Sequence, residues 1–171
     1  MDSIRFRNDV RQGDDEVVRE IITSTGFFYD IEIPVAVELI QEKLREGEKS
    51  TYQFLFAEIG DRPVAYACFG QIAGTEHSYD LYWIATHLDY RGKGIGKELL
   101  KETYRIISRQ GGKNVIAETS SLEKFLPTRK FYEQQGYIKC GLIPDFYKDG
   151  DGKVTYVIRL LNGPETELPS G

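Results

Sequence analysis

Hydrophobic residues along the chain change their spacing several times, and each change indicates an element of secondary structure. Ser3–Val10 alternates apolar and charged side chains, which is typical of a short strand. Apolar residues then recur at helical spacing in two segments, the first beginning at Asp14 and ending at Gly26, the second ending at Gly47. The chain is therefore expected to open with one strand and two helices.

The middle of the chain consists of strand-like segments joined by turn residues. Three of them, Tyr52–Ile59, Val64–Ile72 and Tyr79–Thr86, are separated by short turns and predict an antiparallel meander. Helical spacing returns from Gly94 to about Gln110, and Asn114–Ser120 again reads as a strand.

The last third adds one helix and two strands. Pro127 suits the first turn of a helix that ends at Gly136. Residues 137–143 and 153–161 are predicted as strands, with residues 144–152 as the loop between them. The order βααβββαβαββ predicts an α+β fold with a mixed, largely antiparallel sheet of six to seven strands flanked by helices.

Composition limits the classes of protein that fit this pattern. The 171 residues are 40% hydrophobic and 29% charged, which predicts a single domain over residues 1–161 and a flexible tail over residues 162–171. The net charge of −5 disfavours a nucleic-acid partner, and no apolar stretch approaches the ~18 residues that span a membrane. With Cys68 and Cys140 interpreted as buried free thiols, we expect a cytoplasmic protein without a membrane partner.

A glycine-rich turn carries the most specific chemistry. The segment Arg91–Lys97, RGKGIGK, lies between a predicted strand and a predicted helix. The first amides of a helix have no carbonyl partner within it, and they carry partial positive charge. Glycines let a phosphate approach the backbone, and three cationic side chains surround it, so the turn predicts an anion-binding loop.

Two common nucleotide motifs do not fit this turn. A Walker A loop has four residues between its glycines and continues Lys-Ser/Thr, whereas Gly92 and Gly96 are separated by three and Lys97 is followed by Glu98. The Rossmann fingerprint GxGxxG is also absent from the turn, which reads GxGxG. A generic nucleotide-binding protein is therefore disfavoured.

Three segments instead resemble the GNAT superfamily of N-acetyltransferases. Arg91–Gly96 has the form R-x-x-G-x-G of the family's pyrophosphate loop. Leu81–Thr86 resembles the family's fourth strand, and Thr128–Tyr137 is similar to its late helix signature. The resemblance implies a GNAT-like fold and an N-acetyltransferase that uses acetyl-CoA as co-substrate, without a metal.

The resemblance also implies where acetyl-CoA binds. The fourth strand and the glycine-rich turn are the expected contacts, together with one aromatic residue of the late helix. The backbone N–H of Ala85 or Thr86 is the implied oxyanion donor. The expected acetyl-CoA contacts are Ile84, Ala85, Thr86, Arg91, Gly92, Lys93, Gly94, Ile95, Gly96, Lys97 and Phe131.

Acetyl transfer to an amine requires a base, because a lysine-like amine with a pKa near 10.4 is protonated at neutral pH. The resemblance favours Glu118, on the family's fifth strand, as this base, with Asp80 as the second candidate. It also implies that Tyr132 protonates the departing thiolate.

Two segments, residues 27–32 and 145–151, combine aromatic and acidic residues that could hold an ammonium group. From these segments we expect Phe28, Tyr29, Asp145 and Tyr147 to contact the acceptor. The acceptor is expected to be a primary amine of a small molecule or peptide that attacks acetyl-CoA directly in a ternary complex. A non-catalytic acyl-CoA-binding sensor or interaction module is the alternative function, and a homodimer is compatible with the sequence.

Overall fold

The computed structural model describes residues 3–161, so the predicted tail at 162–171 lies outside the described residues. Three short 3-10 turns cover Gly47–Lys49, Leu88–Tyr90 and Glu123–Phe125. The longer elements are β1 Ile4–Arg7, α1 Asp14–Thr25, α2 Glu32–Glu46, β2 Gln53–Ile59, β3 Arg62–Gln71, β4 Ser78–Thr86, α3 Ile95–Arg109, β5 Asn114–Ser120, α4 Leu126–Gln134, β6 Ile138–Lys148 and β7 Asp151–Arg159.

The strands form one seven-stranded sheet in the order β1-β2-β3-β4-β5-β7-β6. β4 and β5 pair in parallel, from Ser78 opposite Asn114 to Leu81 opposite Ala117. β1 with β2, β2 with β3, β5 with β7 and β6 with β7 pair in antiparallel fashion. The predicted α+β fold with a mixed, largely antiparallel sheet is confirmed.

The chain divides into two compact units. The first reaches as far as Gly70 and includes Tyr82–Thr103. Helical spacing on α1 and α2 presents one apolar face from each helix, and these faces form a core with aromatic side chains of β2 and β3. The fully buried members of this core include Val18, Ile21, Ile40, Phe54, Phe56 and Tyr66.

A buried ion cluster ties β1 to the rest of the first unit. The Arg7 guanidinium donates to both oxygens of Asp14 at 2.8 and 2.9 Å and to Glu58 Oε1 at 2.7 Å. The carbon of the same guanidinium lies 4.4 Å from the centre of the Phe56 ring. Because these ions are removed from water, each depends on its partners for compensation.

The second unit comprises Gln71–Leu81 and the chain from Tyr104 onward. Alternate residues of β5 and β7, including Val115, Ala117 and Tyr156, are buried on one face of these strands. Tyr104 of α3 and Tyr132 of α4 pack in this unit as well. The ring centres of Tyr104 and Tyr137 are 6.3 Å apart, and those of Tyr132 and Tyr156 are 5.9 Å apart.

The predicted loop at residues 144–152 is wrong. β6 continues to Lys148, and only Asp149 and Gly150 separate it from β7. The pairing shifts register between Ile143 and Lys148, and Asp145 takes a positive φ of 53° there. A strand with this irregularity keeps its pairing while losing the simple alternation by which a strand is recognised.

The environments of the two cysteines differ. Cys68 is buried in the first unit, as predicted. The expectation that Cys140 is buried is wrong, because Cys140 is exposed on β6, an edge strand of the sheet whose residues are all exposed. No helix within residues 3–161 has the length and apolar character needed to cross a membrane.

Candidate active site

The glycine-rich turn lies in the first unit, directly before α3. Gly92 and Gly94 have φ values of 72° and 77°, a left-handed conformation that strains any other residue. A Cβ placed on either glycine would meet no atom within 4 Å. The first amides of α3 thus follow a segment whose glycines border open space, and a phosphate can approach such a backbone closely.

Three cations accompany this turn. The Arg91 guanidinium lies 4.5 Å from the centre of the Phe27 ring, and partial burial lowers the pKa of Arg91 although it stays charged at neutral pH. Lys93 Nζ donates to the carbonyl of Asp89 at 3.2 Å, and Lys97 is exposed on the first turn of α3. Helix amides and side chains together make the turn electropositive.

The second half of β4, in the same unit, holds the other predicted cofactor contacts. Ala85 is buried, whereas Ile84 and Thr86 are half-buried. Next to them on the strand, Trp83 packs edge-to-face against Phe28, with 4.9 Å between the ring centres. Phe28, predicted to contact the substrate, therefore also packs against the core of its unit.

Tyr29, another predicted substrate residue, lies just before α2. Its backbone N–H donates to Glu32 Oε2 at 2.6 Å, so the first residue of the helix satisfies an amide of the segment that precedes it. The amide has this local role, and the half-buried Tyr29 side chain lies in the connection between α1 and α2.

The two predicted carboxylates lie on one face of the sheet in the second unit. Asp80 is opposite Ile116 in the parallel pairing of β4 and β5. Glu118 follows Ile116 by two residues and therefore points to the same face. The structure thus brings together Asp80 and Glu118, the two candidates for the base.

Glu118 is ion-paired within this unit. Lys153 Nζ lies 3.1 Å from Glu118 Oε1, and the side chains of lysine and glutamate are 15% and 44% exposed. Burial raises the pKa of Asp80, the charge of Glu118 raises it further, and the charge of Lys153 opposes the rise. Asp80, half-buried, therefore binds a proton more readily than an ordinary aspartate.

Tyr132 lies in a cluster of tyrosines in the second unit. Its ring centre is 5.1 Å from that of Tyr137 and 5.9 Å from that of Tyr156. Burial raises the pKa of Tyr132, so its hydroxyl is protonated throughout the physiological range. Phe131, a predicted cofactor contact, lies beside it with 5.9 Å between the ring centres.

Tyr132 and Glu118 lie on opposite faces of the sheet. Tyr156, which contacts Tyr132, is opposite Ala117 in the pairing of β5 and β7. Consecutive residues of a strand point to opposite faces, so Glu118 faces away from this cluster. The structure does not bring Tyr132 and Glu118 together, and any part they take in proton transfer involves different protons.

The remaining predicted substrate residues lie on β6. Asp145 and Tyr147 are exposed, on a strand rather than on the expected loop. The Asp145 carboxylate accepts the backbone N–H of Gly150 at 2.7 Å and so helps to close the hairpin. The exposed Phe146 and Tyr147 rings contact each other edge-to-face at 5.1 Å.

Sequence reasoning missed Lys153 and Phe146. Lys153 Nζ lies 4.1 Å from the centre of the Phe146 ring, in addition to its contact with Glu118. The alternation of β7 offers a signal, since Lys153 and Thr155 are polar while Val154 and Tyr156 are buried. Within residues 3–161, no group of three or more His, Cys, Asp or Glu residues is arranged to hold a metal ion.

Comparison with known proteins identifies a family match over the middle of the chain. A family model described as an acetyltransferase (GNAT) domain matches residues 50–139. An uncharacterised N-acetyltransferase of Methanocaldococcus jannaschii is 31% identical over 109 residues, which are 64% of this chain and 67% of that protein.

Solved structures resemble nearly the whole chain. A GNAT-family protein from Desulfovibrio desulfuricans is 39% identical, with a TM-score of 0.87 over 92% of this chain and 99% of that one. A GNAT-family acetyltransferase from Elizabethkingia anophelis with acetyl-CoA bound has a TM-score of 0.68 at 12% identity, over 94% of this chain and 100% of that one. The second likeness concerns the fold alone.

Proposed function

The chain belongs to the GNAT family of acetyltransferases and is an N-acetyltransferase, and we propose that it transfers the acetyl group of acetyl-CoA to a primary amine of a small molecule or peptide. In this proposal the amine attacks acetyl-CoA directly in a ternary complex. The observation that carries the proposal is the electropositive turn before α3, with its two left-handed glycines facing open space. A structural neighbour of the same fold holds acetyl-CoA, which supports the choice of donor.

The residues of the first unit fit an acetyl-CoA pyrophosphate. The amides of Ile95, Gly96 and Lys97 open α3, and the first amides of a helix bind anions. Arg91, Lys93 and Lys97 add positive charge around this position. A larger residue at Gly92 or Gly94 would occupy the open space that the phosphates need. Acetyl-CoA supplies the thioester whose carbonyl is attacked.

The chain must supply groups for two proton transfers and for one developing charge. The acceptor arrives as an ammonium ion, and the carboxylate pair of Asp80 and Glu118 takes its proton. The nitrogen then forms the amide bond and loses its second proton while the carbon–sulfur bond breaks, and this second proton balances the one that the departing thiolate takes up. We propose the backbone N–H of Ala85 or Thr86 as donor to the carbonyl oxygen, which gains negative charge during attack.

The acceptor is proposed to meet aromatic and acidic side chains. The proposed contacts are Phe28, Tyr29, Asp145 and Tyr147. The exposure of Asp145 and Tyr147 supports a contact with an ammonium by charge and by the ring face.

The location of the protein in the cytoplasm is a prediction from the sequence.

Tyr132 is proposed to protonate the departing CoA thiolate. A thiol has a pKa of about 8.5 and tyrosine one of about 10, so the transfer is uphill by about 2 kcal/mol at ordinary values. Burial raises the pKa of Tyr132 further. The hydroxyl therefore acts mainly by donating a hydrogen bond that steadies the sulfur as its charge develops, before the proton moves.

Replacing Tyr132 with phenylalanine should lower kcat about 10- to 100-fold, because only the hydroxyl is lost. The ring contacts with Tyr137 and Tyr156 remain, so the melting temperature and the Kd for acetyl-CoA should change little. Steady-state kinetics, thermal unfolding and calorimetry on one preparation measure all three quantities.

Tyr137→Phe is the matched control, since Tyr137 is buried in the same cluster and has no proposed part in catalysis. Its kcat should stay within about twofold of the parent value. Equal losses of kcat in the two variants, or a lowered melting temperature with intact kcat in Tyr132→Phe, would give Tyr132 a structural role only.

A panel of amines tests the function as a whole. The protein is incubated with acetyl-CoA and with single amines of increasing size, from alkyl amines and polyamines to lysine-containing and N-terminal peptides. We expect free CoA thiol and the acetylated amine to appear in equal amounts with at least one class. Binding of acetyl-CoA without amine-dependent thiol release throughout the panel would favour the non-catalytic sensor instead.

A further inference from the structure

Lys153 is enclosed to an unusual degree for a lysine on a sheet face. Its ammonium lies 3.1 Å from Glu118 Oε1 and 4.1 Å from the centre of the Phe146 ring. Its side chain is only 15% exposed. A carboxylate on one side and an aromatic face on the other hold the cation in place, since each attracts positive charge.

The strand register explains why this ion pair adjoins Asp80. Lys153 is opposite Ser120 on β5, and Glu118 is opposite Thr155 on β7, so the pair is a diagonal contact on one face. Asp80 occupies the same face on β4, opposite Ile116. One cation and two carboxylates therefore share the face, one charge each from β7, β5 and β4.

We propose that Lys153 is a positioning residue for the acetyl transfer: it takes Glu118 as its ion-pair partner and leaves Asp80 as the carboxylate that accepts the proton of the acceptor ammonium. The inference rests on the proposed function and deepens it, since it assigns the base within the carboxylate pair. Glu118, which the sequence favoured, becomes the residue through which Lys153 acts.

The chemistry of the three groups supports this assignment. Lys153 Nζ lies 3.1 Å from Glu118 Oε1, so a cation already occupies the position from which an acceptor ammonium would approach that oxygen. Burial and the charge of Glu118 raise the pKa of Asp80, and this brings Asp80 nearer to a working base. The charge of Lys153 opposes that rise and so favours the ionised form of Asp80, which is the form that can accept a proton.

The pairing can be tested without turnover, by NMR titration of the side-chain carboxyl carbons. In Lys153→Met the apparent pKa of Asp80 should rise, because the charge of Lys153, which lowers it, is removed. Lys153→Arg keeps the charge and should restore the parent titration of Asp80. Lys101→Met, which removes a comparable 3.0 Å ion pair with Glu98 on α3, should leave the titration of Asp80 unchanged.

Kinetics then separate the two carboxylates. Asp80→Asn should lower kcat/KM about 10²-fold across the pH range. Glu118→Gln should keep most of kcat and move the acid limb of kcat/KM to lower pH, because Asp80 loses a negative neighbour while Lys153 remains. Lys153→Met should move the acid limb to higher pH, and Lys153→Arg should move it back.

Two results would overturn the proposal. If Glu118→Gln loses about 10²-fold while Asp80→Asn only shifts the acid limb, Glu118 is the base. If Lys153→Met lowers the melting temperature but leaves the Asp80 titration and the pH profile unchanged, Lys153 is structural. If no amine of the panel is acetylated by the parent protein, the proposed function fails, and the NMR titration alone decides whether Lys153 controls the charge state of Asp80.

Discussion

Replacing Gly94 with aspartate is expected to abolish acetyl-CoA binding while the protein remains folded. The substitution adds a negative charge where the proposed pyrophosphate is attracted by the amides of α3 and by Arg91, Lys93 and Lys97. It also places a side chain in space that is open in the structure, since no atom lies within 4 Å of a Cβ at Gly94. The pyrophosphate of acetyl-CoA would therefore lose both the space that it occupies and the positive electrostatic potential that attracts it.

The cost to folding should be modest, because the new side chain meets no neighbour. The φ of 77° at Gly94 makes any L-residue strained there, at a cost of about 1–2 kcal/mol. Isothermal titration calorimetry with acetyl-CoA should show no detectable heat of binding in Gly94→Asp, and circular dichroism should show a folded protein.

Gly60→Asp provides the matched control. Gly60 has a similar φ of 62°, and a Cβ there likewise meets nothing within 4 Å. It lies in the turn between β2 and β3, so the variant carries the same charge and comparable strain outside the glycine-rich turn. Acetyl-CoA should bind Gly60→Asp normally; unchanged affinity in Gly94→Asp would remove the turn from the cofactor site.

Local patterns predicted most of the fold. The order of all strands and helices follows from apolar spacing, and β5 begins and ends where predicted, at Asn114 and Ser120. The second half of β6 was missed because a register shift and the positive φ of Asp145 interrupt its alternation. That irregularity depends on pairing with β7, which local spacing does not reveal.

The candidate site was predictable to the extent that it depends on contiguous sequence. The turn Arg91–Lys97 is one uninterrupted segment, and its position before α3 is a local property. The partnership of Lys153 with Glu118 is not local, because β7 lies between β5 and β6 in the sheet although it follows both in the chain. Lys153 lies diagonally across from Glu118 only because β7 pairs with β5. The ion pair on the predicted base therefore could not be predicted without the order of the strands in the sheet.

Replacing Arg7 with methionine should destabilise the protein by about 3–5 kcal/mol, the usual cost of removing one partner from a buried ion pair. Asp14 and Glu58 would lose the guanidinium that compensates their burial, and their side chains are only 6% and 3% exposed. For a chain of this size each kcal/mol corresponds to about 2–4 °C. The melting temperature should therefore fall by about 6–20 °C.

The stability lost in Arg7→Met should depend on pH. Burial raises the pKa of Glu58, but hydrogen bonds from Arg7 and Arg5 and the charges of both arginines lower it more, so the net shift is downward. A carboxyl group with a lowered pKa contributes stability above its ordinary pKa, and that stability is lost as the pH falls through its pKa in the folded state. The difference between parent and Arg7→Met should thus be largest near neutrality and should narrow in acid.

Arg62→Met tests whether burial of the ion pair, rather than ion pairing as such, causes the loss of stability in Arg7→Met. Arg62 and Glu20 lie at the same 2.7 Å as Arg7 and Glu58, but their side chains are 53% and 57% exposed. An exposed pair contributes less than about 1 kcal/mol, so the melting temperature of Arg62→Met should fall by no more than about 4 °C. Thermal unfolding of both variants from pH 4 to pH 8 makes the comparison. Equal losses would mean that the Arg7 cluster stabilises the fold no more than a surface ion pair does.

Adding Glu58→Gln to Arg7→Met should recover part of the lost stability, because the uncompensated charge of Glu58 is then removed from the interior.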